Sequence, residues 1–428
     1  MIWTSVSFAL TLDEAWEATL AHGEEARIAE EIARQGQIVE TQAWTSLGPR
    51  VSASGNFIYN ERETTINFAG NFPPEMLELV EQFTGEPLDL GEPVVINEQS
   101  YFDASVSIIQ PLLNLRAFPG LAAARAMAQA GDANGEAMLG QLHLGVVQAY
   151  TGAWLAREAE VLARAALESA RQHDAAMASF VSVGAAAPLS KLQTEVGVRR
   201  AERELAAARL RRQDAELSLA ALCNTEPGGE VSLPEPPSLP FATEADALAA
   251  AQTGRPELRA ARANGVAARS TAAASVLQWA PTVDARFTEA WTQNEGFSGE
   301  PSAWQFALTA SFPVWDAGYR VADNQRAVSN ARQADAALDK VEEETAVLVR
   351  GLWAKLSHAR LGIAAADAEV VAARESLRLA ETGLRLGAST PLEAEDAAVG
   401  VQSAELALAS ARVNEVVTAY AILALAGR

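Results

Sequence analysis

The chain has 428 residues, a formal net charge of −22 and a pI near 4.7. So acidic a chain lacks the basic face that nucleic-acid binding requires, and its single cysteine, Cys223, excludes an internal disulfide. Alanine is abundant and aromatic residues are scarce, a balance that suits long, closely packed helices better than one globular core.

The first stretch, Met1 to Leu10, has no basic segment and no clear cleavage site, so it does not read as a complete signal peptide. Either the protein is cytoplasmic or its true start lies upstream. No cysteine stands near the start to accept a lipid, and no apolar run is long enough for a membrane-spanning helix.

Thr11 and Glu14 form a capping box, and a helical pattern follows to about Trp44. A second such pattern starts at Thr243 and runs to about Gln278. Arg27 precedes Pro49 by 22 residues, and Arg259 precedes Pro281 by 22. After each proline the period changes from helical to two. Val51, Ala53, Gly55, Phe57 and Tyr59 alternate with Arg50, Ser52, Ser54 and Asn56. Phe102, Ala104, Val106 and Ile108 alternate with Asp103, Ser105 and Ser107. Val283, Ala285, Phe287 and Trp291 share a face, with Glu289 as an exception, and Trp304, Phe306, Leu308, Ala310 and Phe312 share another. These are four strands, apolar on one side and polar on the other, with aromatic residues toward their ends. That is the pattern of membrane-spanning barrel strands; a half-buried antiparallel sheet is the soluble alternative. An insertion around Phe68 to Asn97 lengthens the connection of the first pair. The second pair turns through 294–300 as a plain loop.

Each pair leads into a long helical stretch, ending at Gly184 and at Gly387. In the second, Leu356, Ile363, Val370, Leu377 and Leu384 recur every seven residues, with Ala359, Ala366, Ala373 and Ala380 between them. This is a coiled-coil seam in which alanine lets a neighbour approach. The returning helices answer with Leu392, Val399, Leu406, Val413 and Tyr420, and with Leu189, Val196, Leu210 and Leu217, where Arg203 breaks the stripe. Thr390, Pro391 and Glu393 read as cap, first helical position and capping-box partner. The matching first tip has Pro188, but Ala187 in place of the cap. Two matching tips mark a duplicated unit. The expected division is a first repeat at 11–226, a Pro-rich linker at 227–242 and a second repeat at 243–428.

No catalytic constellation and no phosphate-binding motif is present in the sequence. His22, His143, His173 and His358 show no metal-ligand spacing. The expectation is a non-enzyme without cofactor or metal.

Taken in order and spacing, several motifs make the chain resemble the TolC-like outer membrane efflux protein family. They are Leu12-Asp13-Glu14-Ala15, Arg255-Pro256-Glu257-Leu258-Arg259, the strand exits Gln110 to Asn114 and Phe312 to Gly318, and the two glycine-containing tips. The resemblance implies a mainly α fold with a small β part: a long antiparallel coiled-coil helical barrel, plus four transmembrane β-strands per chain that close a 12-stranded barrel in a homotrimer. Four strands alone would leave edges in lipid. It implies an exit duct of a tripartite efflux pump or type I secretion system in the outer membrane of a Gram-negative bacterium. The helical part would lie in the periplasm, with a periplasmic adaptor and an inner-membrane transporter as partners. Glu393 and Asp396, with Ser190 and Glu195 at the first tip, are then expected at the periplasmic gate; the alternative is that Glu393 only caps the helix. Gly184, Ala185, Gly387, Ala388, Ser389 and Thr390 are expected to contact the adaptor. Ser389 stands where some relatives carry a basic latch residue, a role that Arg385 would have to fill. The other readings are a soluble periplasmic coiled-coil scaffold or adaptor and a cytoplasmic coiled-coil protein. The cargo is not readable.

Overall fold

The structure is a computed structural model that describes residues 10–66, 73–86, 94–184, 186–225, 230–295 and 300–427. Met1 to Ala9, Ala185 and parts of the insertion, the linker and the second strand loop lie outside these. The chain forms two compact units. One comprises residues up to Gln37, 126–265 and 332 onward; the other comprises 38–125 and 266–331.

In the first unit, helix α1 (Leu12–His22) starts where expected: the Thr11 hydroxyl accepts the Glu14 amide, and the Glu14 carboxylate accepts the Thr11 amide at 2.8 Å. Helix α6 (Glu244–Gly254) starts on the same device, built from Thr243 and Asp246. Neither helical pattern is continuous, contrary to the sequence reading. Gly23 leaves helical geometry at φ −71°, ψ 135°, and α2 (Glu24–Thr45) begins behind it. Arg255 does the same at φ −59°, ψ 119°, before α7 (Pro256–Val276). Proline forces the second break, because the residue before it is pushed out of the α region.

The second unit holds the sheet. Strands β1 (Arg50–Tyr59), β4 (Ser100–Leu113), β5 (Thr282–Thr292) and β6 (Ser302–Ser311) pair antiparallel in the order β1-β4-β5-β6. The described residues of the first connection form secondary structure of their own. Strand β2 (Thr64–Ile66), just before the insertion, pairs with β3 (Val94–Asn97) at its end, and the helix α3 (Pro74–Thr84) lies within it. The register places Val51 opposite Ile108, Ile108 opposite Phe287, and Phe287 opposite Phe306, so one face is apolar apart from Glu289, beside Val106 and Trp304, and Gln110, beside Ala285. That face is not covered by the chain: Val51, Phe57, Trp304, Phe306 and Leu308 are each more than half exposed. The opposite face carries hydroxyls, with Ser54 and Ser105 joined at 2.9 Å and the Thr292 hydroxyl donating to Asp103 at 2.6 Å.

Helix α4 (Ala117–Ser182, 66 residues) and helix α8 (Tyr319–Leu386, 68 residues) follow the strand pairs. At 1.5 Å per residue each is about 100 Å long. The entry to α8 is a knot of polar contacts. Ala317 and Gly318 both have positive φ, and Asp316 closes the turn by accepting the Gly318 and Arg320 amides. The buried Arg320 guanidinium donates to Asp316 at 2.6 Å and to the Pro313 carbonyl at 2.9 Å, and it stacks on Trp279. Arg320 holds the Asp316 carboxyl below the usual carboxylate range.

Helices α5 (Pro188–Cys223) and α9 (Pro391–Leu425) return from the tips. The α8 seam is real: Leu356, Ala366 and Val370 are buried, and the other seam residues are half-buried. On α5 the predicted stripe is exposed instead. Leu189, Val196, Leu210 and Leu217 are each more than half exposed, while Thr194, Leu205, Ala208 and Leu219 are buried. The outer part of the α9 stripe, Leu392 and Val399, is also exposed, and Ala394 and Ala404 take the interior positions. By length and composition α9 is apolar enough to cross a membrane, which the sequence reading did not anticipate. Its inward alanines serve helix packing. Helix α2 meets α4 at Gly36 and Gly131, where a Cβ on Gly131 would stand 3.0 Å from the Gly36 Cα.

The core of the first unit gathers Leu12, Ala15, Val146, Val147, Tyr150, Leu219 and Cys223. The Tyr150 hydroxyl donates to the Leu10 carbonyl at 2.7 Å and accepts the Ser232 amide, tying the linker at Ser232 to the start of α1. His143 lies between the rings of Trp16 and Tyr420, and burial lowers its pKa.

Replacing Arg320 with Ala strands the Asp316 carboxylate and frees the turn. The expected outcome is a lower Tm of the detergent-solubilised protein.

Candidate functional site

The two helical tips carry the residues singled out from the sequence. At the second tip, Gly387 has φ +72°, its amide donates to the Leu384 carbonyl, and the Ala388 amide reaches back to Gly383 at 2.8 Å. These two bonds satisfy carbonyls that the end of α8 would otherwise leave open. The Ser389 side chain folds over Gly383, where any Cβ would collide with its hydroxyl. Thr390 caps α9: its hydroxyl accepts the Glu393 amide, and its own amide donates to Glu393 Oε2 at 2.7 Å. At the first tip Gly184 has φ +76°, and Ala187 gives α5 no side-chain cap. The Ser190 amide donates to the Ala187 carbonyl instead. Ala185 lies outside the described residues.

The expected gate residues divide by environment. Asp396 and Glu195 are exposed, and neither has a hydrogen-bond or ionic partner among the described residues. Glu393 is exposed as well, with one carboxylate oxygen held by its own cap. Ser190 is half-buried. Among the described residues Arg385 makes no link to the other hairpin; its guanidinium reaches the Thr382 hydroxyl, one turn away on α8.

The contacts that do join the hairpins come from residues that sequence reasoning passed over. Glu395, flanked by the exposed acids of α9, turns toward α5 and accepts from Arg200 at 3.3 Å. Gly197 makes room for it, since a Cβ there would stand 2.9 Å from the Glu395 carboxylate. His173 on α4 lies 3.6 Å from Glu381 on α8. These two contacts border a cavity of about 320 Å³ lined by α4, α5 and α9. Within the first hairpin, Lys191 donates to both oxygens of Asp174 at 2.5 and 2.6 Å, and the Thr194 hydroxyl adds a third bond at 2.7 Å. Lys191 holds the Asp174 carboxyl below the usual carboxylate range. The only prior signal was chemical type: charged residues on otherwise small-residue faces near a tip. Among the described residues no group of acids, histidines or cysteines is placed to hold a metal ion.

Two outcomes follow from these bonds. Because the folded pKa of Asp174 is depressed, its contribution is present above the ordinary Asp pKa and is lost as pH falls through the folded value. Lys191→Met is expected to flatten the acid limb of a Tm-against-pH curve. Arg200→Ala is expected to speed amide hydrogen exchange across 391–400 without changing exchange in the strands.

The model of the outer membrane efflux protein family matches residues 25–225 and again 247–428. Among solved structures, the chain is similar to the outer membrane protein VceC from Vibrio cholerae, at 16% identity over 97% of this chain and 96% of that one, with a TM-score of 0.77. It is similar to the CmeC outer membrane channel of Campylobacter jejuni, at 14% identity over 97% and 85%, with a TM-score of 0.79. It is also similar to the open state of the MtrE outer membrane channel of Neisseria gonorrhoeae, at 19% identity over 100% and 93%, with a TM-score of 0.76. At these identities the likeness is one of fold. No curated protein matches by sequence. Members of the family are channels of the Gram-negative outer membrane with a helical periplasmic part, so the soluble-scaffold and cytoplasmic readings fall. The family match spans nearly the whole chain, and the chain belongs to the outer membrane efflux protein family.

Proposed function

We propose that this chain forms a homotrimeric exit duct of a tripartite efflux pump, a passive channel whose periplasmic end is gated at the hairpin tips. Family members form trimers and work with a periplasmic adaptor and an inner-membrane pump. The observation that carries the reading for this chain is the sheet. Its apolar face is exposed and its outer strands, β1 and β6, are unpaired at the edges among the described residues. Open edges are not tolerated in lipid. Three copies would supply twelve strands, enough to close around a water-filled lumen. The exposed stripe of α5, with Leu189, Val196, Leu210 and Leu217, gives the helices a matching surface for neighbours.

In this reading the repeats 11–226 and 243–428 each contribute one strand pair and one helical hairpin, joined by 227–242. Glu393 and Asp396, repeated three times, form an acidic constriction, with Ser190 and Glu195 beside it. Carboxylates facing one another favour cations and resist close approach. Gly184, Gly387, Ala388 and Thr390 offer the adaptor a tip with little side-chain bulk. Ala185 is kept in that set on sequence grounds, and Ser389 takes part through its fold over Gly383. The adaptor and pump supply energy and docking, and no chemical step is assigned to the chain.

The test is conductance in a planar bilayer. Purified trimer is expected to conduct with a preference for cations, and Glu393→Gln with Asp396→Asn should weaken that preference. An unchanged reversal potential removes both residues from the constriction. A protein that is monomeric and soluble without detergent removes the duct.

A further inference from the structure

The polar face of the sheet is not uniform. Arg50 pairs with Ile109 on one side, and Ile109 pairs with Arg286 on the other. The same cross-strand row ends at Ala307 on β6. Two arginines therefore stand on one face and at one level, two strands apart. With about 4.8 Å between neighbouring strands, their Cα atoms are about 10 Å apart. Both side chains are exposed, and neither has a hydrogen bond or ion pair among the described residues. In a chain with a net charge of −22, two free guanidinium groups on one row stand out.

The neighbours are small or hydroxylic. The next row holds Ser52, Ser107, Thr288 and Gln305. The Thr288 hydroxyl donates to Ser107 at 3.3 Å, so that row is already bonded within itself. Two carboxylates share the face. Asp284 lies opposite Pro111 and Thr309, on the row beyond, and forms no ion pair with Arg286. Asp103 is six residues along β4 from Ile109 and is engaged by the Thr292 hydroxyl. That is about 20 Å at strand rise, beyond the screening length of about 8 Å at physiological salt. Asp284, two residues along β5 from Arg286 and so about 7 Å away, offsets one of the two charges, and the row keeps a net excess of one positive charge per chain.

We propose that Arg50 and Arg286 form an oxyanion-binding belt on the pore face of the barrel, near its periplasmic end. The proposal rests on the channel reading, which puts the polar face toward the lumen and repeats the pair three times around it. Guanidinium groups present a planar fork of donors that matches phosphate and carboxylate oxygens. Flexible side chains about 10 Å apart at their bases converge on one ligand of that class. The belt gives the barrel an electrostatic sign opposite to that of the acidic tips. Phosphorylated or carboxylated solutes in the barrel lumen meet these donors and find a binding step there.

The probe is inorganic pyrophosphate, added to the extracellular side of wild-type trimer in a planar bilayer. Wild type is expected to show concentration-dependent block. Arg50→Gln with Arg286→Gln should raise the half-blocking concentration roughly tenfold, the scale of lost charge-assisted bonds. The tip variant Glu393→Gln with Asp396→Asn should block like wild type. If the double variant does not assemble, Arg50→Gln and Arg286→Gln alone should each weaken block roughly threefold, as half of the donor set is lost. A conducting wild type that pyrophosphate does not block overturns the belt and leaves the channel standing. Block abolished by the tip variant rather than the arginine variants also overturns it. A wild type that forms no pore overturns the channel reading and the belt together.

Discussion

The constraint on which the structure depends is that backbone amides and carbonyls cannot be left open in hydrocarbon. The four-stranded sheet meets this constraint only in its interior, where β4 and β5 are paired on both sides. Its apolar face belongs in lipid, yet its two edges do not. In the proposed trimer, closure by further copies would resolve that conflict and turn the hydroxyl face toward a lumen, while within the chain the long helices leave the sheet through fixed turns. The Asp316–Arg320 knot is one such turn, where a buried guanidinium and two left-handed residues set the exit direction of α8.

Much of this was legible from residue type and spacing. Alternation along Trp304 to Phe312 gave the strand and its faces, because a period of two has only two solutions. The seam from Leu356 to Leu384 gave α8, and Thr390 with Glu393 gave the start of α9 to the residue. What escaped depended on partners that are distant in sequence. The stripe of α5 reads as a seam by period alone, but period does not say whether the neighbour belongs to the same chain. Here Leu205 and Ala208 face inward, and Leu210 and Leu217 do not. Glu395 was hidden for the same reason. Its partner Arg200 is 195 positions away, and their meeting depends on the rotation of two helices about their own axes.

The start helices show a different limit. Gly23 is compatible with a helix interior as well as with a break, and hydrophobic period does not separate the two cases. Arg255 was marked by the proline behind it, which bars the α region to the residue before it. At the tips, the sequence left Glu393 with two roles in competition. The geometry lets them coexist, since one carboxylate oxygen satisfies the Thr390 amide and the other is left to solvent.

Cys223 has a consequence for how the protein is made. Its thiol sits in the core at the end of α5, accepts a contact from the Thr19 hydroxyl at 3.6 Å, and is pushed above its ordinary pKa by burial. In the oxidising periplasm a lone sulfhydryl is dangerous only while the chain is still unfolded and neighbours are near. Packing of α5 against α1 withdraws it. Covalent dimers cross-linked through this sulfur would therefore record molecules that met before maturation, and their abundance would measure how long newly exported chains wait to fold.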